Sequence, residues 1–485
     1  MVDATFLRKF SAVSVATVLV ALRAVSASAQ ETGRVNQDEL ASFYGRMNVV
    51  VGSGARAFGM GGAFLARADD ATAASWNPAG LSYLRRTEFS LVGVHNDFLQ
   101  KVPREVVDST GRASLQLSRD QLRGSVADFA GFAYPLRFRG RTGAVQLSYQ
   151  RSFSFSGKRN SEGLGADFQV DGSGGFDSLS LSSGFEINPR LRMGVSVNRW
   201  IDGFSQTVSR QVQNDKFSGG STTVDPFTRI SRRIDSSWEI TGTNFNLGAL
   251  FTPTPKLNLG AVFKTAFSAD IRLYKKRTDG VIPAPLATAA QAGFPPEGGV
   301  DTTTVNRAAQ DVTIRFPRVF GVGGSYRATN TVTLSADFTR TQWSKASITN
   351  FFSLPAEKGI DLYSELPFPA VEESANGQID TNQIRLGGEW VLRLGPSGDV
   401  LLPLRAGFFR DAQPFVAQVD SQTVKPTFTG LTAGIGVNVG GMLLDIAYSR
   451  ETGKVPLSGR ADLRPREIKY NRLFASVIFR VGPRR

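Results

Sequence analysis

Few residues in this chain are able to do covalent chemistry. Its 485 residues include no cysteine and one histidine, His95. Disulfide scaffolds, zinc–thiolate sites, iron–sulfur clusters and cysteine nucleophiles are therefore excluded, as is any mechanism that needs two imidazoles. A serine hydrolase would have to use His95, beside Asn96 and Asp97, and no Gly-x-Ser-x-Gly elbow accompanies it. Gly59-x-Gly61-Gly62 lacks the full spacing of a dinucleotide-binding loop. The expectation is a protein that is not an enzyme, with no catalytic residue, metal or cofactor. What the chain has in excess is phenylalanine, with 35 Phe against 9 Tyr and 5 Trp. Two stretches concentrate apolar side chains between turn-rich flanks. Segment 276–309 holds Leu286 and Phe294, and segment 346–379 holds Phe351, Phe352, Leu354, Leu362 and Phe368. Clusters of this kind on exposed segments mark binding surfaces. Each methylene of a solute buried there gains about 0.8 kcal/mol. The same side chains also fit a cap in which the two segments pack on each other.

The elements that would carry these segments are read from alternation. In 142–149, Val145, Leu147 and Tyr149 alternate with Ala144, Gln146 and Ser148. In 331–339, Val332, Leu334, Ala336 and Phe338 alternate with Thr331, Thr333, Ser335, Asp337 and Thr339. Period-two alternation over ten to twelve residues is the length a tilted strand needs to cross a bilayer. Fourteen such segments are centred near residues 91, 130, 147, 181, 195, 244, 263, 320, 337, 387, 405, 433, 446 and 476. Six connections are tight turns, and the others, such as 96–125, 202–235, 276–309 and 346–379, are long. Short and long alternate throughout, as in an outer-membrane barrel with periplasmic turns and extracellular loops. The fold expected is all-β: a transmembrane antiparallel β-barrel of about 14 strands.

The N-terminus agrees with export. Arg8-Lys9, the apolar run Ser11–Leu22 and Ala27-Ser28-Ala29 have the form of a signal peptide over residues 1–29, with cleavage before Gln30. Residues 30–86 then lack alternation, and residues 87–485 form the barrel. A fourteen-stranded barrel is too wide for its own side chains to fill. The Gly- and Ala-rich segment 52–81, entering from the periplasmic end, is a natural plug.

At this segment the sequence resembles a known family. Arg56-Ala57-Phe58-Gly59-Met60-Gly61-Gly62-Ala63, Ala68-Asp69-Asp70-Ala71 and Asn77-Pro78-Ala79-Gly80-Leu81 are similar to the hatch of the FadL/TodX outer-membrane transporters for long-chain fatty acids and other hydrophobic compounds. Phe245–Phe251, Leu257–Gly260, Phe316–Gly323, Leu334–Trp343 and Arg405–Asp411 resemble later blocks of that family, in family order. The resemblance implies a fourteen-stranded barrel with an N-terminal hatch. It also implies passive capture of substrate on extracellular loops, passage by the hatch, lateral release into the membrane, and a monomer. A structural or secretion-associated barrel of PorV type, binding protein partners through its loops, is the alternative.

The charges fit this frame. Asp337, Arg385, Glu389, Arg393, Arg405 and Asp445 fall on polar strand faces and are expected to pair in the lumen. One Arg clamping a substrate carboxylate is the other reading. Asp69 and Asp70 are expected to tie the hatch to basic wall residues, a cation site being the alternative, and Asn77-Pro78 reads as a fixed turn or a hinge. The formal net charge is +14. Small basic groups occur at Arg85-Arg86, Arg232-Arg233 and Lys275-Lys276-Arg277, and several lie in or next to the expected extracellular loops, where lipopolysaccharide phosphates would meet them. Nucleic acid is not expected as a partner.

Overall fold

The computed structural model describes residues 52–107, 113–154, 156–163, 166–213, 229–282, 304–349, 379–395, 400–414, 417–419, 422–456 and 465–482. Fourteen strands build the wall. The first seven are β1 (Thr87–Val107), β2 (Ala113–Phe138), β3 (Arg141–Ser154), β4 (Ala166–Asn188), β5 (Leu191–Ile201), β6 (Arg229–Thr254) and β7 (Leu257–Lys264). The rest are β8 (Val319–Arg327), β9 (Val332–Thr341), β10 (Thr381–Leu394), β11 (Val400–Ala412), β12 (Thr427–Val439), β13 (Met442–Val455) and β14 (Arg466–Val481). Each pairs antiparallel with its neighbour in the chain. β14 closes on β1 from Lys101↔Glu467 to Thr87↔Val481, which leaves the sheet no edge. Every one of the fourteen alternating segments is a wall strand, and the expected tight turns join them at one end.

Alternation decides which face each side chain takes. Leu91, Leu147, Leu181 and Leu431 point outward and are more than half exposed, whereas Ser90, Ser148, Ser180 and Thr432 on the opposite phase are buried. An apolar exterior over a polar interior suits a barrel whose outer solvent is lipid.

Beyond the membrane band the strands run further than expected. Segment 96–125, expected as a loop, is the distal part of the β1–β2 hairpin, paired out to Val107↔Ala113. His95 consequently lies inside a strand, not at its end. Gly203–Gln213 pairs with β6 within 202–235. Phe267–Ile282 pairs with Thr304–Phe316, which shortens the connection expected over 276–309 to 283–303. Outside lipid neither face needs to be apolar, so sequences such as Ser118-Arg119-Asp120 lose alternation while the backbone ladder continues.

The wall bends at one level on its long-loop side. β3 stops at Ser154 and its chain resumes as a strand at Gly157–Gly163. β5 passes through Asp202, at φ 66°, into Gly203–Gln213. β7 breaks before Phe267–Ile282, and Pro317-Arg318 separates Thr304–Phe316 from β8. The β2–β3 ladder runs from Phe138↔Arg141 to Phe129↔Gln150 and resumes only at Arg123↔Lys158. Among the described residues, 124–128, 151–154 and 156–157 therefore have no ladder partner across that seam. On their other sides, Gly124 to Ala127 stay paired with β1, and Arg151, Phe153 and Ser154 with β4.

Residues 52–86 pack inside the wall as α1 (Ala55–Gly59), α2 (Ala73–Trp76) and a 3-10 turn (Pro78–Tyr83). Backbone meets backbone where glycines face each other. A Cβ at Gly407 would lie 2.2 Å from the Gly61 nitrogen, and one at Gly387 would lie 2.2 Å from the Met60 carbonyl oxygen. Gly61 itself has φ 68°, and a Cβ there would lie within 3.0 Å of Leu386 and Phe408 backbone atoms. Gly407→Val is therefore expected to displace the inner segment and leave the barrel closed. Limited proteolysis should then cut residues 52–86 while unheated gel migration stays that of a folded barrel; an equally protected segment would contradict this packing.

Candidate functional site

The inner segment is fixed to the wall by buried polar groups. The Asp337 carboxylate on β9 accepts the Phe64 and Leu65 N–H groups at 2.7 and 2.8 Å. On β12, Thr432 accepts from Gly61 N at 2.9 Å and donates to the Gly59 carbonyl at 3.0 Å. The Asn77 amide donates to the carbonyls of Leu65, Ala249 and Ala261, and its oxygen accepts from Ala79 N at 3.2 Å. That bonding makes Asn77-Pro78 a fixed turn, with proline at the first position of the 3-10 turn. Ser53 donates to Asp128 at the edge of the interrupted β2–β3 seam.

Charge concentrates on Glu389 of β10. Its carboxylate meets Arg67 at 2.6 Å, Arg405 at 2.8 Å and Arg56 at 3.4 Å. Arg405 continues to Asp445 at 2.6 Å, and Arg385 pairs with Asp411 at 2.8 Å while donating to the Gly61 carbonyl. Asp69 and Asp70 join through Arg56, at 2.5 and 3.0 Å. The expected ties from this acidic pair to basic wall residues are not the arrangement found. The arginines come from the inner segment and the wall supplies a carboxylate. Burial by itself raises the Asp69 carboxyl, but the Arg56 and Arg67 guanidiniums outweigh it and hold that group below the usual carboxylate range. Burial likewise opposes the Arg56 charge, and Asp69, Glu389 and Asp70 hold its guanidinium well above the ordinary value. Arg393, grouped by sequence with the luminal charges, is exposed near the β10–β11 turn.

On the long-loop side of this lock, at the level of the strand breaks, lies a cluster of aromatic rings, most of them buried, the aromatic bay. Trp200, Phe267 and Phe316 stack with centroids 4.8–5.6 Å apart. Phe153 packs 6.2 Å from both Trp200 and Phe316. Phe176 and Phe204 continue the cluster to Trp238. The order along β6 sets the depth. Trp238 and Ile240 come first, then Asn244 and Asn246, then Gly248 against Asn77 and Pro78. Asn244 accepts from the Trp200 indole at 2.8 Å and from Asn198 at 3.2 Å. The bay is thus apolar, with a polar floor leading to the inner segment. Beside it Arg151 grips Asp177 through two hydrogen bonds of 2.8 and 2.7 Å, and the Tyr149 hydroxyl donates to the same carboxylate at 2.6 Å.

The hatch residues singled out by sequence, Gly59, Gly61, Gly62, Asp69, Asp70, Asn77, Pro78, Ala79, Gly80 and Leu81, all lie in this inner segment, and all except Asp69 are buried. The loop residues Leu286, Phe294, Phe351, Phe352, Leu354, Leu362 and Phe368 lie outside the described residues. His95 Nδ1 is 2.8 Å from Ser125 Oγ on an exposed part of the wall, and among the described residues no carboxylate bonds to this imidazole. Sequence reasoning missed the aromatic bay. One signal was available: Trp200 shares the phase of Ser196 and Asn198, and Trp238 that of Asn244 and Asn246, which aims both rings into the lumen.

The signature of a family described as outer membrane protein transport protein (OMPP1/FadL/TodX) matches residues 41–364. No curated protein matches the sequence. Among solved structures, the chain is similar to a Pseudomonas aeruginosa FadL homologue at 17% identity, with 90% of this chain and 99% of that one covered and a TM-score of 0.55. It is also similar to the Ralstonia pickettii toluene transporter TbuX, at 16% identity, with 90% and 100% covered and a TM-score of 0.51. The corresponding figures for the P. putida toluene transporter TodX are 13% identity, 90% and 100% covered, and a TM-score of 0.51.

Removing one partner of a buried ion pair costs about 3–5 kcal/mol because the other charge stays buried. Glu389→Gln leaves Arg56, Arg67 and Arg405 without their shared carboxylate. It is expected to lower the denaturant midpoint for release of the inner segment, followed by a cysteine-reactive probe at a substituted Ser53→Cys. Arg393→Gln, on an exposed position, should leave that midpoint unchanged. Equal effects of the two substitutions would refute the role given to Glu389.

Proposed function

The chain belongs to the family of outer membrane transport proteins (OMPP1/FadL/TodX), and from that premise we propose that it carries hydrophobic compounds, fatty acids or hydrocarbons, passively across the outer membrane. The observation that carries the reading is the aromatic bay inside the barrel, set between the extracellular strand extensions and a segment that obstructs the axis. An apolar solute gains by leaving water for stacked rings, and aromatic contacts add about 0.5–1.5 kcal/mol each beyond area. No charge has to be uncovered for it to bind.

Capture falls to the extracellular loops that carry Leu286, Phe294, Phe351, Phe352, Leu354, Leu362 and Phe368. The solute then moves into the bay. Below it the Glu389 cluster and the Asn77 and Asp337 bonds resist withdrawal of residues 52–86, so continuing down the axis would break many buried polar contacts at once. The interrupted β2–β3 seam offers another path. Its edges are 124–128, 151–154 and 156–157, and Phe153 belongs both to the seam and to the bay. Release there would deliver the solute sideways into lipid with no displacement of the inner segment. In this account residues 1–29 are a cleaved signal peptide, residues 30–86 are the hatch, and the barrel works as a monomer whose outer loops meet lipopolysaccharide.

Two experiments test the route. Trp200→Ala with Phe316→Ala removes the centre of the bay and is expected to weaken binding of radiolabelled toluene or oleate by about tenfold or more. Phe351→Asp with Phe352→Asp is expected to slow capture while leaving binding at saturation. Unchanged binding in the first variant would reject the bay as the site. For the seam, Arg123→Cys and Lys158→Cys place a disulfide across the ladder pair at which the two strands rejoin, in a chain otherwise free of cysteine. Oxidation should block uptake and reduction restore it; full uptake by the oxidised form would rule out release at this seam.

A further inference from the structure

The tight turns carry a charge pattern that transport does not use. Arg139 and Arg141 stand at the β2–β3 turn, Arg190 at β4–β5, Lys256 at β6–β7 and Arg327 at β8–β9, and all five are exposed. None of them makes a salt bridge among the described residues. At the opposite end of the barrel Arg123, Lys158, Arg272 and Arg340 are each paired with an aspartate, while the exposed Arg315 and Arg410 form no salt bridge among the described residues. Two described carboxylates lie near the turns, and both are already engaged: Glu186 with Arg192 and Glu88 with Arg480, at 17% and 4% side-chain exposure. Four of the tight turns thus carry exposed cations with no salt bridge among the described residues.

Their depth says what they meet. Turns of two residues keep Arg139, Arg141, Arg190 and Lys256 close to the last lipid-facing positions. Phe138 is 59% exposed and lies directly before Arg139, whose guanidinium sits 5.2 Å over that ring. Ile187 and Met193 flank Arg190 with outward apolar side chains, as Phe251 and Leu259 flank Lys256. Arg139 has φ 50° and Gly140 φ 77°, a turn type in which Asn-Gly is the easier sequence. A cation beside an outward ring, at the end of a membrane-spanning strand, lies at headgroup depth and can turn toward phosphate while its stem stays on apolar surface.

We propose that the periplasmic rim binds anionic phospholipid headgroups of the inner leaflet, with Arg139, Arg141, Arg190 and Lys256 as the phosphate-contacting residues. Arginine meets phosphate with two parallel hydrogen bonds, so the rim selects charge and geometry together. Contacts on several turns hold the barrel at a fixed height and place the β2–β3 hairpin, which carries the interrupted seam, against charged lipid. The proposal rests on the outer-membrane placement of the family and not on which solute is carried, so its failure would leave the transport route standing.

The test is competition of phosphatidylglycerol and phosphatidylcholine of matched chains for the detergent-purified full-length protein, read by native mass spectrometry. Wild type should retain phosphatidylglycerol about tenfold over phosphatidylcholine, and the variant Arg139→Gln/Arg141→Gln/Arg190→Gln/Lys256→Gln should fall to about twofold or less. An unchanged melting temperature would show that the variant folds. If it does not fold, Arg190→Gln alone, on an exposed turn, is read in the same competition and should show a smaller loss in the same direction. Added inorganic phosphate should leave retention unchanged. A variant with wild-type preference, or a wild type with no preference, would overturn the proposal. So would displacement of the lipid by free phosphate, or variant-sensitive binding of polyglutamate without lipid preference, the signature of a soluble acidic partner.

Discussion

The structure depends on a buried carboxylate. Glu389 lies inside the barrel with Arg56, Arg67 and Arg405 around it. Two of these arginines belong to the inner segment and one to the wall, so the segment and the wall share one buried network. A buried charge is tolerable only when paired, and that requirement fixes where residues 52–86 sit. Asp337, Thr432 and Asn77 act in the same sense on backbone groups that would otherwise be orphaned. A barrel of fourteen strands has room for an inner segment, and the polar lock makes its position specific.

From that lock follows the division of the lumen. Polar residues dominate where the wall meets the inner segment, and aromatic residues dominate beyond it, where the strands break. The breaks and the bay occur together for a structural reason. A strand that keeps strict alternation presents one face inward throughout. A bulge such as the one between Arg151 and Phe153 shifts the phase and lets a large ring enter the lumen. The same local irregularity that admits Phe153 also interrupts the β2–β3 ladder.

Much of this was legible in the sequence, because lipid outside and water or protein inside impose a period of two. Leu334 and Phe338 against Ser335 and Asp337 gave the membrane band directly, and the six tight turns gave the topology. The strand extensions were not legible, since Ser118-Arg119-Asp120 has polar residues on both phases and pairs through its backbone alone. The bay was only partly legible. Trp200 and Trp238 kept phase with their strands, whereas Phe153 stands behind a register shift that no periodicity reveals. The partners of Asp69 and Asp70 were misjudged because like charges along the chain do not say where their counter-ions come from. Here Arg56 and Arg67 of the same inner segment turned back on them, and the wall supplied the further carboxylate.

The central claim is that hydrophobic solutes occupy the aromatic bay while the inner segment stays locked. Anomalous scattering from crystals grown with a brominated solute, such as bromobenzene, tests it most directly. The account predicts a bromine peak among Phe153, Trp200 and Phe316, with Glu389 still bonded to Arg56, Arg67 and Arg405. A bromine peak on the periplasmic side of Glu389, or occupancy accompanied by withdrawal of residues 52–86 from the wall, would contradict it.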